Sequence, residues 1–188
     1  MTIIRKQDFI DSVAESLQFI SYYHPIDFVK AMAEAYEKEQ STAAKDAIAQ
    51  ILINSRMCAQ GLRPICQDTG IITAFVKVGM NVQWDSDLTV QEMVDEGVRR
   101  AYTNPDNPLR ASIVADPNGA RKNTKDNTPA VVHIDLVAGD KVEIMVAAKG
   151  GGSENKSKMV MLNPSDSVAE WVLKTLPTMG AGWCPPGM

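Results

Sequence analysis

The sequence has little of what usually staples or metallates a small domain: among 188 residues there are three cysteines, Cys58, Cys66 and Cys184, and two histidines, His24 and His133. An odd number of cysteines with no CxxC pair makes a poor disulfide framework and a poor self-contained zinc site, so reduced thiols are expected. There is no basic surplus either. Lys and Arg number 19 against 23 Asp and Glu, a net charge of -4, and without a broad basic surface neither a nucleic acid nor an anionic membrane is an expected partner. An anionic ligand would have to be drawn by a local pocket. Long apolar runs are missing: the opening "MTIIRKQDFIDSVAES" is broken by Asp8, Asp11 and Glu15, which excludes a secretory h-region, and no later stretch is long enough to span a bilayer. A cytoplasmic protein is expected. No internal repeat and no low-complexity segment is present.

What is present is the balance of a globular protein, 45% apolar and 22% charged. The length suits one domain, residues 1–188, with a helical region over 1–62 and a sheet-and-loop region over 63–188. Apolar residues recur at helical spacing as Phe9, Val13, Leu17 and Ile20, then Val29, Met32, Ala33 and Tyr36, then Ala44, Ile48, Ile51 and Leu52. Three helices are predicted, each with one buried stripe. Pro25 suits a first helical turn, Ser41 or Thr42 caps the third helix, and Gly61 stops it. The β-branched run "IITAFVKVGMNV" predicts a strand with a turn at Gly79 and Asn81. Thr89 and Glu92 form a capping box that opens a helix to about Tyr102. Residues 103–129, with four prolines, predict a long loop of the kind that usually serves a function. In "VVHIDLVAGDKVEIMVAA" the alternation of Val132, Ile134 and Leu136, then Val142, Ile144 and Val146, around Ala138–Asp140 predicts a hairpin. Ser167 and Glu170 open a last helix to about Leu176. The fold class expected is α+β, a helical N-terminal region packed with a mixed or antiparallel sheet.

Three loops stand out: the one holding Cys66, the glycine loop at 150–152, and the terminal "CPP" turn with Cys184. Gly150–Ser157 nearly matches G-x-x-x-x-G-K-[ST], with Lys156 and Ser157 in register but Asn155 where the last glycine belongs. A phosphate loop should follow a strand of a parallel βαβ unit, and a hairpin feeds this one, so nucleotide binding is the weaker alternative. Cys58, in the last turn of a helix, reads as a small buried hydrophobe. Cys66 and Cys184 sit in loops near proline, and on spacing alone ligation, nucleophilic chemistry and mere packing stay open. His24, before a helix start, and His133, on the polar side of a strand, read as ordinary surface residues rather than catalytic bases.

"CQDTG" at 66–70, "AKGGGSENKS" at 148–157 and "CPP" at 184–186 together resemble the N-terminal part of the iron-sulfur fumarate hydratases of class I, which are similar to tartrate dehydratase subunits. The resemblance runs in order over nearly the whole chain. It implies a [4Fe-4S] cluster held by three cysteines, with one iron left open to a dicarboxylate while water is added or removed. Cys66 matches the first cluster cysteine and Cys184 the second, while the third lies beyond this chain. Gln67 and Asp68 match substrate-contacting residues, with Asp68 the catalytic candidate; Arg110 matches an arginine that grips a carboxylate, and Gly152 a backbone contact. The residues after the glycines resemble the fumarase version of that loop, which implies malate and fumarate as substrates and a place in the tricarboxylic acid cycle. It further implies a homodimer of the full-length enzyme, with a second domain carrying further arginines and the catalytic base, and hence a fragment of low activity here.

Overall fold

The computed structural model of the chain describes residues 2–66, 68–150 and 157–179. Along these the chain forms β1 (Thr2–Arg5), α1 (Lys6–Tyr22), α2 (Ile26–Lys38), α3 (Thr42–Gly61), β2 (Ile71–Gly79), β3 (Val82–Asp85), α4 (Val90–Tyr102), β4 (Val114–Ala115), β5 (Lys122–Asn123), β6 (Val131–Val137), β7 (Val142–Lys149) and α5 (Val168–Thr175). Helices and mixed strands together make the expected α+β arrangement. The chain divides after Lys149 into two compact units.

In the first unit, local chemistry sets the helix starts as the sequence predicts. The Ser41 hydroxyl accepts the Ala44 N–H at the start of α3. At the start of α4, Thr89 and Glu92 satisfy each other's backbone N–H groups in a complete capping box. α3 departs from the expected stop by one residue: Gly61 is still helical, and it is Leu62 that turns left-handed, at φ 47°. The core lies between α1, α4 and one face of the main sheet. α1 contributes Phe9, Val13 and Leu17, α4 contributes Met93, Val94 and Val98, and β2 contributes Ile72, Ala74 and Val76. Each of these side chains except the small Ala74 is worth roughly 1.5–3 kcal/mol when fully removed from water. Gly97 lets α4 come down onto α1, since a Cβ there would fall 2.6 Å from the Val13 side chain.

Three further expectations are corrected. The first sixty residues are not purely helical: Thr2–Arg5 is extended and pairs in parallel with β3, Thr2 opposite Val82. The stripes on α2 and α3 are only half covered. α2 buries no residue fully, and α3 buries only Ser55 and Cys58, because these two helices pack chiefly on each other. Helical spacing shows which side faces a neighbour, not how completely that neighbour covers it.

The third correction concerns the predicted hairpin. β6 and β7 do not pair; β2 lies between them, parallel to β6 and antiparallel to β7. β2, with its alternate residues buried, takes the centre of the sheet, where it hydrogen-bonds along both edges. The four residues Ala138–Lys141 must then bridge two strand spacings, roughly 9–10 Å. They do so by arching over the end of β2, where Gly79 N donates to Lys141 O and Asn81 N to Gly139 O, both at 2.9 Å. Gly79 has to be glycine for that arch, since a Cβ would sit 2.6 Å from the Gly139 carbonyl oxygen. β7 is therefore an antiparallel edge strand, unlike the central parallel strand that feeds a phosphate loop.

The segment 103–129 is loop, as predicted, apart from the short antiparallel pair β4–β5. Its start is pinned by Gln18, whose amide donates to the carbonyls of Ala101 and Asn107. In the second unit, the Ser167 hydroxyl accepts the Glu170 N–H to start α5, which runs into a 3₁₀ turn at Leu176–Met179. No helix among the described residues is long and apolar enough to cross a membrane.

Candidate functional site

The loop between α3 and β2 is built from its anchors outward. Asn54 and Cys58 are one turn apart near the end of α3. The Asn54 amide donates to Ile65 O at 3.1 Å, and Ile65 N donates to Ser21 O, at the end of α1, at 2.9 Å. Cys58 Sγ lies 3.6 Å from both Asn54 Oδ1 and Pro64 O. The residue before Cys66 is therefore held on both its backbone groups. Burial pushes the Cys58 thiol pKa up, with Arg63 acting in the opposite direction. Cys58 is accordingly a buried, protonated packing residue, as its helical position implied.

Beyond Cys66, Asp68 Oδ1 accepts the Gly70 N–H at 3.0 Å, an Asx turn that redirects the chain into β2 through Gly70 at φ 69°. Thr69 is buried and makes two separate ties. Its hydroxyl donates to the Arg110 carbonyl, and its own carbonyl accepts the Tyr102 hydroxyl at 3.0 Å. Asn127 adds a third strut between the same two loops: its Nδ2 donates to Gly70 O at 3.0 Å, while its Oδ1 accepts Ser112 N at 2.8 Å and Ile113 N at 3.2 Å.

Cys66 and Asp68 are both half-buried and line one hollow of about 190 Å³, walled by Pro64, Ile65 and Thr69 of the loop, Ile20 and Ser21 of α1, and Ala148 of β7. Larger depressions lie elsewhere without this chemistry. One of about 450 Å³, between α1 and α4, is lined by charges that pair among themselves, such as Arg99 and Arg100 with Glu96. Another, of about 530 Å³, is a largely apolar groove between α2 and α3. The smaller hollow is the better candidate because it gathers a thiol and a carboxyl beside an arginine-bearing loop, and a convergence of polar groups marks a site more surely than volume does.

The structure thus brings Cys66 and Asp68 together and ties the backbone of Arg110 to the residue after Asp68, with Arg110 itself exposed. Gln67, Gly152 and Cys184 lie outside the described residues, as do Asn155 and Lys156 of the near phosphate loop. Neither histidine lines the hollow. His133 is exposed and stacks on Phe75 at 5.0 Å. His24 is not the simple surface residue expected: it is half-buried, with Nδ1 3.0 Å from Ser55 Oγ and its ring stacked on Phe28, and burial lowers its pKa.

A thiolate is the soft donor that iron-sulfur clusters take, so a half-buried thiol at the mouth of a hollow suits one corner of such a group. Among the described residues no three His, Cys, Asp or Glu side chains converge as a complete metal site. The described part therefore fits as one ligand position, not as a closed cage.

Sequence reasoning missed Tyr102, Thr69 and Asn127 as the supports of this site. The Tyr102 hydroxyl is the most perturbed of them: burial, with the Asp68 carboxylate adding to it, pushes its pKa up to about 12 from an ordinary value of 10.0. The folded chain holds the neutral phenol, so this contribution is complete below about pH 10 and is lost as the pH rises through about 12. Over that interval the group should withdraw roughly 2–3 kcal/mol of stability. Tyr102→Phe should cost about 1 kcal/mol at neutral pH, by removing the donor to Thr69 O, and should lack the alkaline component. Urea midpoints from neutral pH to about pH 12 measure both.

A family model for fumarate hydratase (Fumerase) matches residues 10–188. A putative L(+)-tartrate dehydratase subunit alpha of Methanocaldococcus jannaschii is 33% identical over 182 residues, covering 94% of this chain and 63% of the relative. The anaerobic class I fumarate hydratase of Escherichia coli is 31% identical over 156 residues, covering 80% of this chain and 28% of that enzyme. An L(+)-tartrate dehydratase subunit alpha of Escherichia coli is 31% identical over 179 residues, 93% of this chain and 58% of the relative. The chain thus spans less than two thirds of each of these relatives. With the match running through the Cys66 loop, the arginine loop and the strands that carry them, the chain belongs to the fumarate hydratase (Fumerase) family.

Proposed function

We propose that this chain supplies the Cys66–Asp68 side of the active site of an iron-sulfur hydro-lyase that reversibly dehydrates (S)-malate to fumarate. The observation that carries the reading is the pairing of a thiol and a carboxyl on one hollow in a chain of this family. Cys66 and Cys184 are the thiolates that would hold a [4Fe-4S] cluster, with the third ligand outside this chain. When bound, such a cluster supplies a Lewis acid that stabilises the charge developing as a proton α to a carboxylate is lost.

The chain's own residues bind and orient the dicarboxylate. Arg110 offers a planar fork matched to a carboxylate. Gly152 lets backbone N–H groups approach an anion closely. Gln67 hydrogen-bonds the substrate, and Asp68 hydrogen-bonds it or transfers a proton. Asp68 is held at the hollow by the Asx turn that its Oδ1 makes with Gly70 N–H. In the full-length enzyme the expected assembly is a homodimer.

A second reading is L(+)-tartrate as substrate, favoured by the tartrate dehydratase alpha subunits among the relatives, which cover more of their own length with this match than the fumarase does. On that reading the chain would act as one subunit of two kinds. Tartrate differs from malate by one hydroxyl, and a site shaped for hydrogen bonds discriminates sharply at such a group. The complete enzyme, prepared and assayed without air, should turn over (S)-malate with kcat/KM at least about tenfold above that for L(+)-tartrate. The reverse ratio would replace the malate reading with the tartrate one.

A further inference from the structure

We infer that Asn127 is the positioning residue that sets Arg110 against the Asp68 loop, so that arginine and carboxyl address one dicarboxylate; this rests on the proposed role of Arg110. Asn127 is completely buried and left-handed, at φ 62°, near the end of the long loop joining α4 to β6. Its amide is oriented without ambiguity, since two partners are N–H groups and the third is a carbonyl. Oδ1 accepts from Ser112 and Ile113, and Nδ2 donates to Gly70.

The consequence is a fixed register between two segments far apart in sequence. Arg110 is tied through its carbonyl to Thr69, and two residues later the chain is tied again, to Asn127. Asn127 in turn holds Gly70, which closes the Asx turn of Asp68. Arginine is long and flexible, so where its guanidinium can work depends on where its backbone is held, and misplacement of a binding group by about 1 Å is costly. Asparagine suits the position twice over. It tolerates a left-handed backbone, and its amide offers a donor and an acceptor on one planar group. Aspartate keeps the acceptor but turns the Gly70 contact into acceptor against acceptor.

The test is a double-mutant cycle of Arg110→Ala with Asn127→Asp, read as the dissociation constant for succinate in the cluster-loaded enzyme. A charge-assisted bidentate contact is worth on the order of tenfold to a hundredfold in affinity, so Arg110→Ala should weaken succinate by that much. Asn127→Asp should weaken it comparably, and the double variant should be no weaker than about twofold beyond either single one. Additive losses, or no loss on Asn127→Asp, overturn the inference while leaving Arg110 as the grip. No loss on Arg110→Ala overturns the role of Arg110 and the inference with it. An independent readout is amide hydrogen exchange: Asn127→Gly, which removes the acceptor oxygen, should speed exchange at Ser112 and Ile113 and leave the amides of β2 and the middle of α4 unchanged. Faster exchange throughout would reduce Asn127 to a general stabiliser and overturn the inference. If Asn127→Asp does not fold, Asn127→Gly, which suits the left-handed backbone and adds no charge, takes its place in the cycle with the same expected outcomes.

Discussion

Under the proposed iron-sulfur reading, Cys66→Ser should lower fumarate hydration in the anaerobically prepared full-length enzyme by at least about three orders of magnitude, because a Lewis-acid centre would supply several kcal/mol of transition-state stabilisation. Serine is nearly the same size as cysteine, and the loop's anchors are the backbone groups of Ile65 and side chains on α3, none of which the change touches. The urea midpoint should therefore stay where it is while bound iron and sulfide fall together. That combination separates ligation from packing. A thiol that merely filled space would give a small activity change, or a stability loss with the activity per folded molecule intact. Cys58→Ser supplies the contrast: the residue is buried at 4% exposure and sits against Asn54 and Pro64, so its loss should shift stability with no matching loss of iron. Hydration surviving Cys66→Ser at near full rate would remove the thiol from the mechanism.

The parts of the fold legible in the sequence are those fixed by neighbours within a few residues. The Thr89–Glu92 box, the Ser41 cap and the turn into β3 each depend on groups three or fewer positions apart, and each is where the pattern put it. Strand neighbours are not fixed that way. Alternation along 131–148 identifies two strands and their faces, yet it carries no information that a strand sixty residues earlier will separate them. The competition is decided by which strand loses most by lying at an edge, and β2 wins it through Ile72, Ala74, Val76 and Val78. The short β1 was hidden for a related reason: four residues carry too little periodicity to outweigh the helix that follows them.

The candidate site shows the same division. Cys66 and Asp68 stand out in a short motif and an evident loop, and they do share one hollow. The residues that hold that hollow in shape reach it across large separations, 33 positions for Tyr102 to Thr69, 41 for Thr69 to Arg110 and 57 for Asn127 to Gly70. "KDNTPA" reads as an ordinary turn, and nothing local distinguishes an asparagine that merely turns the chain from one whose amide joins two other loops. A polar residue with a left-handed backbone and no exposure is recognisable only once the loops have closed around it.

Asp68→Asn separates the two jobs that this carboxyl could have. As a turn former it needs only one oxygen to accept the Gly70 N–H, and asparagine keeps that oxygen at the same length. The fold, the register of β2 and the hollow should therefore survive, with an unfolding free energy within about 0.5 kcal/mol of the parent. As a proton-transferring group it needs an ionisable oxygen, which asparagine lacks at any accessible pH, and loss of a positioned acid or base costs about 10²–10⁴-fold in rate. The expected result is a fall of that size in kcat with KM for malate changed by less than about fivefold, since the amide can still hydrogen-bond the substrate. A rise in KM with kcat preserved would instead assign Asp68 to ground-state binding alone, and an unchanged kcat/KM would leave it as the residue that turns the chain into β2. The Tyr102 phenol offers a cross-check from the opposite side. The Asp68 charge contributes to the elevation of its pKa to about 12, so removing that charge should lower the phenol's titration toward its ordinary value while burial keeps it raised. A phenol titration that did not move would mean that the Asp68 carboxylate does not sit charged beside Tyr102, and the case for an ionised group at the hollow would go with it.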